Sequence, residues 1–215
     1  MTQPTRQVLD PVERASEILF GLIMVLTFTS SISVAEAGQA ETREILVGAV
    51  GCNLAWGLVD AVMYLTASFL ERARSLKTLT AVRRAADPSR AHEIIRTALP
   101  PLLASGLDDR EVESLRQHLN RVDVPPHVHP NASDLGGALA VFLLVFLSTF
   151  PVTIPFLLVD NVRQALRLSN LTAAALLFAT GWTLGKYAGR GAWRMGLETV
   201  FVAIVLVAIT MALGG

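Results

Sequence analysis

Ile45 to Leu70, ILVGAVGCNLAWGLVDAVMYLTASFL, is an apolar run with a single acid, Asp60, inside it. About 20 apolar residues suffice for a helix to cross the hydrocarbon of a bilayer, so the run reads as one membrane-spanning helix. Ten residues lie between Asp60 and the charged residues that close the run, which at ~1.5 Å per residue puts the acid ~15 Å deep, near the midplane. An ionised group there costs roughly 2.5 to 3.5 kcal/mol and ordinarily faces a bundle interior or a wet cavity. Helical offsets of three, four and seven align Asn53, Trp56, Gly57, Asp60 and Tyr64 on one face, leaving Ala55, Leu58, Val62 and Leu65 for lipid. Two readings fit Asp60: a cation or proton site, or a protonated carboxyl that bonds a neighbouring Ser or Thr as helix glue.

The whole chain agrees with a membrane setting. Of 215 residues, 52% are hydrophobic and 17% charged, with a mean hydropathy of +0.50, too apolar for an ordinary soluble domain. Apolar runs at Ile18–Ala35, Ile45–Leu70, Leu135–Val159, Leu171–Leu184 and Met195–Leu213 predict an all-α polytopic membrane protein with five transmembrane helices. The expected division is 1–70 with helices one and two, 71–134 as a small helical cytoplasmic insert, and 135–215 with helices three to five. Fifteen Lys and Arg then fall inside against three outside, Arg43, Arg163 and Arg167, which sets the N-terminus in the cytoplasm and the C-terminus outside. The sole cysteine, Cys52, excludes a disulfide framework. The polar start, MTQPTRQVLDPVER, lacks the basic head and short apolar core of a cleavable signal.

Within the first span, Thr27, Thr29, Ser30, Ser31 and Ser33 form a hydroxyl patch, and Thr27 and Ser30 are expected at a depth comparable to Asp60. Hydroxyls can coordinate a cation or bond to their own backbone. In the insert, Asp87 before Pro88 reads as an N-cap and helix start, Pro100 and Pro101 as an interruption, and Asp108 with Glu111 as a capping box. His127 and His129 between prolines make a weak metal pair or an exposed turn. Pro151 and Pro155 should bend or unwind the third span. Gly181, Gly185 and Gly189 form a small-residue packing series. Glu198 on the fifth span and Glu17 on the first hold similar depths, so the two either form an entry vestibule or snorkel to water.

The opening EILFG, the second helix centred on Gly57, FPVTIPFLL and the terminal RMGLETVFVAIVLVAITMALG together resemble the vacuolar iron transporter family. The resemblance implies five transmembrane helices per subunit, a homodimer, a cytoplasmic metal-binding domain between helices two and three, and proton-coupled export of ferrous iron or a similar divalent metal. It sets Glu17 at an early family acid, Met24 where the family has its transport aspartate, Asn53 at a family glutamate, and Ala61, next to Asp60, at the transport methionine. Acid and thioether would thus have exchanged helices, with Met24 giving sulfur and Asp60 oxygen. The clustered glutamates of the family insert are thin here. His92 beside Glu93, with Glu111 or Glu113, makes either a residual metal site or a charged surface.

These features predict a divalent-metal transporter, an antiporter for ferrous iron or manganese, in the bilayer of a bacterial cytoplasmic membrane. Asp60 is its coupling carboxylate, Met24, Asn53 and Thr27 the coordinating shell, and Glu17 with Glu198 the entry. The expected partners are the metal ion and the proton, with no resident cofactor beyond the transported cation and no nucleic acid. The alternative is a non-transporting dimeric scaffold or regulator whose basic insert binds a protein or anionic lipid. The sequence carries no HExxH, GxSxG, P-loop or dinucleotide fingerprint, so an enzyme is not expected.

Overall fold

The computed structural model describes residues 9, 11–35, 42–123, 129 and 131–212, with the side chains at 11, 31–35 and 42 left aside. His127 and the side chains of Ser31 and Ser33 therefore lie outside the described residues. All regular structure among the described residues is α-helical: α1 (Pro11–Ala35), α2 (Thr42–Arg83), α3 (Pro88–Ala98), α4 (Pro101–Gly106), α5 (Asp109–Arg121), α6 (Ala132–Leu158), α7 (Val162–Tyr187) and α8 (Ala192–Ala212). Two compact units result, Met1–Tyr64 with Ala132–Gly215, and Leu65–Asn131, the boundary falling inside α2.

Three of these helices are long and apolar enough to cross a membrane, over Arg43–Arg83, Ala132–Leu158 and Ala192–Ala212. The five-span reading also needs α1 and α7, of 25 and 26 residues. Both are long enough at ~1.5 Å per residue. They are more polar at their starts, with Glu13, Arg14 and Glu17 on α1 and Arg163, Gln164 and Arg167 on α7.

In the first unit α1 packs against α6, α7 and α8, and α7 against α6 and α8. Its core joins Leu22, Val25 and Leu26 of α1 to Ala49 of α2, Val152 of α6, Leu177 of α7 and Ala203 of α8. Gly181 and Gly185 let α8 approach: a Cβ at Gly181 would meet the Met195 carbonyl at 2.8 Å, and one at Gly185 the Ala192 Cα at 2.8 Å. The glycine series thus serves packing within the chain. It ends at Gly189, whose φ of 66° suits a residue without Cβ, while Arg190 N–H donates to Gly185 O (3.0 Å) and Gly189 N–H to Lys186 O (3.4 Å), closing a Schellman turn into α8.

The prolines of the third span are expected to break it, yet α6 runs through Pro151 and Pro155 as one helix. Neighbouring hydroxyls bond to carbonyls along this stretch: Ser148 Oγ donates to Val145 O (2.7 Å), Thr153 Oγ1 to Phe150 O (3.0 Å), and Ser169 Oγ of α7 to Val152 O (2.7 Å). The carbonyls left without an i+4 donor by the two prolines are those of Leu147 and Pro151, which are not the ones these hydroxyls bond.

The second unit starts its helices where local chemistry dictates. Asp87 Oδ1 accepts from Arg90 N–H (2.8 Å) at the head of α3, and Asp108 with Glu111 forms the reciprocal capping box of α5 at 2.8 Å each way. Val82, Ala91, Ile95 and Val112 make its core, with Leu115 and Leu119 packed against it. Arg83 of α2 closes the far end of α5 by donating to the carbonyls of Leu119 (2.8 Å) and Val122.

Candidate functional site

The site forms along the seam of α1 and α2, and the register of these two helices decides its content. Gly48 faces the Phe28 ring, Asn53 reaches Gly21, and Trp56 meets Phe20 edge-on with ring centroids 5.8 Å apart, which brings Asp60, one turn beyond Trp56, level with Glu17, one turn before Phe20. As numbers rise on one helix they fall on the other, so α1 and α2 are antiparallel. Asp60 is level with Glu17, and Met24 is level with the turn around Asn53.

Counted inward from Glu71, Asp60 is near the midplane; its counterpart Glu17 immediately precedes the apolar run of α1. α2 itself stays helical through Glu71 to Arg83. Thr27 lies ten residues along α1 from Glu17, ~15 Å away along the axis. It is not beside Asp60, and its Oγ1 donates to Ile23 O (2.7 Å) on its own helix. Thr29 does likewise to Val25 O (2.9 Å), and Ser30 is buried further along the same helix.

The inward face of α2 is the one read from the sequence. Asn53 and Gly57 are buried and Asp60 and Tyr64 partly so, while Leu58 and Val62 are exposed. Trp56 sits at the border, exposed yet packed on Phe20. α6 comes close at Gly57, where a Cβ would stand 3.1 Å from Phe142 Cδ2 and 3.2 Å from Phe142 O. Tyr64 lies against Gly137 one turn earlier on α6.

Asn53 is fully buried and ties three helices. Its Nδ2 donates to Gly21 O on α1 (3.1 Å) and Thr149 Oγ1 on α6 (2.5 Å). Its Oδ1, and Oδ2 of Asp60, are buried and accept no hydrogen bond from the described residues. Unpaired buried acceptors are costly, about 1 to 3 kcal/mol each, and attract a donor or a cation. By helix register Asp60 is level with Glu17 and Asn53 with the turn that holds Met24, and within each helix these two levels are seven residues, ~10.5 Å, apart. Glu198 is exposed on α8.

In the second unit His92 Nε2 lies 2.8 Å from Glu113 Oε2, joining α3 to α5. Glu113 also accepts from Arg116 Nε (2.8 Å) and Nη2 (2.7 Å) and from Gln117 Nε2 (3.0 Å). These donors, Arg116 first, hold its carboxyl well below the usual carboxylate range. Glu93 turns to Arg90 (2.5 Å), and Glu111 is spent on the backbone of Asp108. The four residues expected to converge thus reduce to one pair, and among the described residues no group of three or more His, Cys, Asp or Glu is placed to hold a metal. His129 has an exposed backbone position whose carbonyl accepts from Arg72 (3.2 Å).

A sequence model described as the VIT family matches residues 71–215, more than half of the chain. No curated protein matches it. The matched range starts after Asp60, so the seam of α1 and α2 is read from its own geometry.

Proposed function

The chain belongs to the VIT family, a family of membrane metal-ion transporters, and on that premise we propose that it exports a divalent metal, ferrous iron or manganese, from the cytoplasm in exchange for protons. The family match favours transport over a scaffold. The proposal includes α1 and α7 as spans beside the three apolar helices, a cytoplasmic N-terminus, an outer C-terminus, a homodimer and residence in a bacterial cytoplasmic membrane.

The observation that carries the reading is the buried Asp60 Oδ2, which accepts no hydrogen bond from the described residues, one turn beyond the Trp56–Phe20 contact, with Glu17 one turn from Phe20 on the facing helix. Carboxylate oxygens suit hard and borderline divalent ions, and the Met24 thioether at the next level favours iron over magnesium or calcium. Asn53 offers its unpaired Oδ1 there. Metal and protons compete for the same two carboxylates, which is the simplest arrangement for exchange. Thr27, whose hydroxyl bonds Ile23 O, and Glu198, exposed on α8, are assigned to the approach and exit of the ion. In the insert, His92, Glu93, Glu111 and Glu113 take metal only if Glu113 gives up Arg116.

Manganese binding to purified protein, followed by electron paramagnetic resonance, tests the assignment. Glu17→Gln and Asp60→Asn should each weaken binding by about tenfold or more, while Glu113→Gln leaves it unchanged. Unaltered binding in both α1 and α2 variants would remove the station, and loss in Glu113→Gln would move the site to the insert.

A further inference from the structure

α1 has two working faces. Glu17, Phe20 and Met24 turn to α2, whereas Arg14, Ile18 and Leu22, spaced one turn apart, line a cavity of about 560 Å³ with α6 and α7. On the other side its wall includes Leu144, Leu147 and Leu176. Leu147 is 53% exposed, so the cavity is a groove open along the side of an apolar helix. Ser148, the remaining polar side chain in the wall, spends its hydroxyl on the Val145 carbonyl of its own helix.

Arg14 is the charged group of this groove. It sits one turn before the apolar run that opens at Ile18, the level of lipid headgroups. Its Nε and Nη2 donate to the Leu9 carbonyl at 3.0 and 2.9 Å, which fixes the guanidinium by the groove and uses two of its five N–H groups. Among the described residues no carboxylate forms an ion pair with it. A fixed cation with three donors left, at the head of an apolar channel inside a membrane unit, complements a phosphate carried on an acyl chain. We propose that this groove binds one acyl chain of an anionic phospholipid whose phosphate is held by Arg14. Such binding rests on the geometry of α1, α6 and α7 and is independent of transport.

Native mass spectrometry of the full-length protein from detergent, titrated with phosphatidylglycerol or phosphatidylcholine, tests it. Wild type should hold phosphatidylglycerol about tenfold more tightly, because the trimethylammonium of phosphatidylcholine already offsets its own phosphate charge and opposes the Arg14 cation. Arg14→Gln should bring the two lipids within about twofold, and Leu144→Trp, which fills the groove, should weaken both. Equal binding of the two lipids to wild type, or an unchanged preference in Arg14→Gln, overturns the proposal. Removing residues 2–8 should leave the preference in place; if lipid binds only after that removal, the N-terminal segment occupies the groove and the proposal fails.

Discussion

Replacing Asn53 tests whether one buried amide locks α1, α2 and α6 together. Asn53→Ala removes both Nδ2 bonds, to Gly21 O and Thr149 Oγ1. Side-chain hydrogen bonds within membrane bundles average about 0.6 kcal/mol and reach about 1.7, so two contribute roughly 1 to 3 kcal/mol. The lost amide atoms add a cavity at a fully buried site, on the order of 1 kcal/mol. The total of about 2 to 4 kcal/mol corresponds to a fall in melting temperature of roughly 4 to 16 °C for a chain of this size. Asn53→Leu keeps the volume and also removes the unpaired Oδ1, so it should cost about 1 kcal/mol, clearly less than alanine. Thermal unfolding in detergent, monitored by tryptophan fluorescence, measures both. Equal losses in the two variants, or losses below about 0.5 kcal/mol, would refute the tie.

At Gly57 a branched side chain has no room beside Phe142, so Gly57→Val should cost about 1 to 3 kcal/mol by pushing α2 from α6, read as a lower melting temperature. Gly51, which has open space around its Cβ position, serves as the control, and Gly51→Val should not show this steric loss. For Glu113 the folded-state pKa is lowered, so its contribution is fully present above the unfolded value of about 4.3 and is lost as pH falls through the folded one. Hydrogen exchange of α3 and α5 should therefore speed up below about pH 4 in wild type more than in Glu113→Gln; parallel profiles would contradict this. Asp108→Ala removes the α5 cap and should cost the insert about 1 kcal/mol, seen as faster exchange at Glu111 to Glu113.

Features set by near neighbours along the chain are legible in the sequence. The Asp87–Pro88 helix start, the Asp108–Glu111 box and the inward face of α2 depend on offsets of three to seven residues. Which residues of α1 stand level with Asp60 is not legible there, because it is set by the Asn53–Gly21 and Trp56–Phe20 contacts between the two helices. A hint is present: Glu17 and Met24 stand seven apart, as do Asn53 and Asp60, which is what two facing stations require. The Asn53–Thr149 bond spans 96 residues and has no local signal. The insert carboxylates look free because the sequence does not show that Arg116, one turn from Glu113, takes both of its oxygens.

The central claim is that an acid pair shared by two antiparallel helices carries the moving ion, and its most direct test is metal flux into proteoliposomes under an imposed pH gradient. Wild type should accumulate manganese only while the gradient lasts. Asp60→Asn should retain its fold and lose gradient-driven uptake by at least about tenfold. Flux in Asp60→Asn equal to that of wild type would contradict the account.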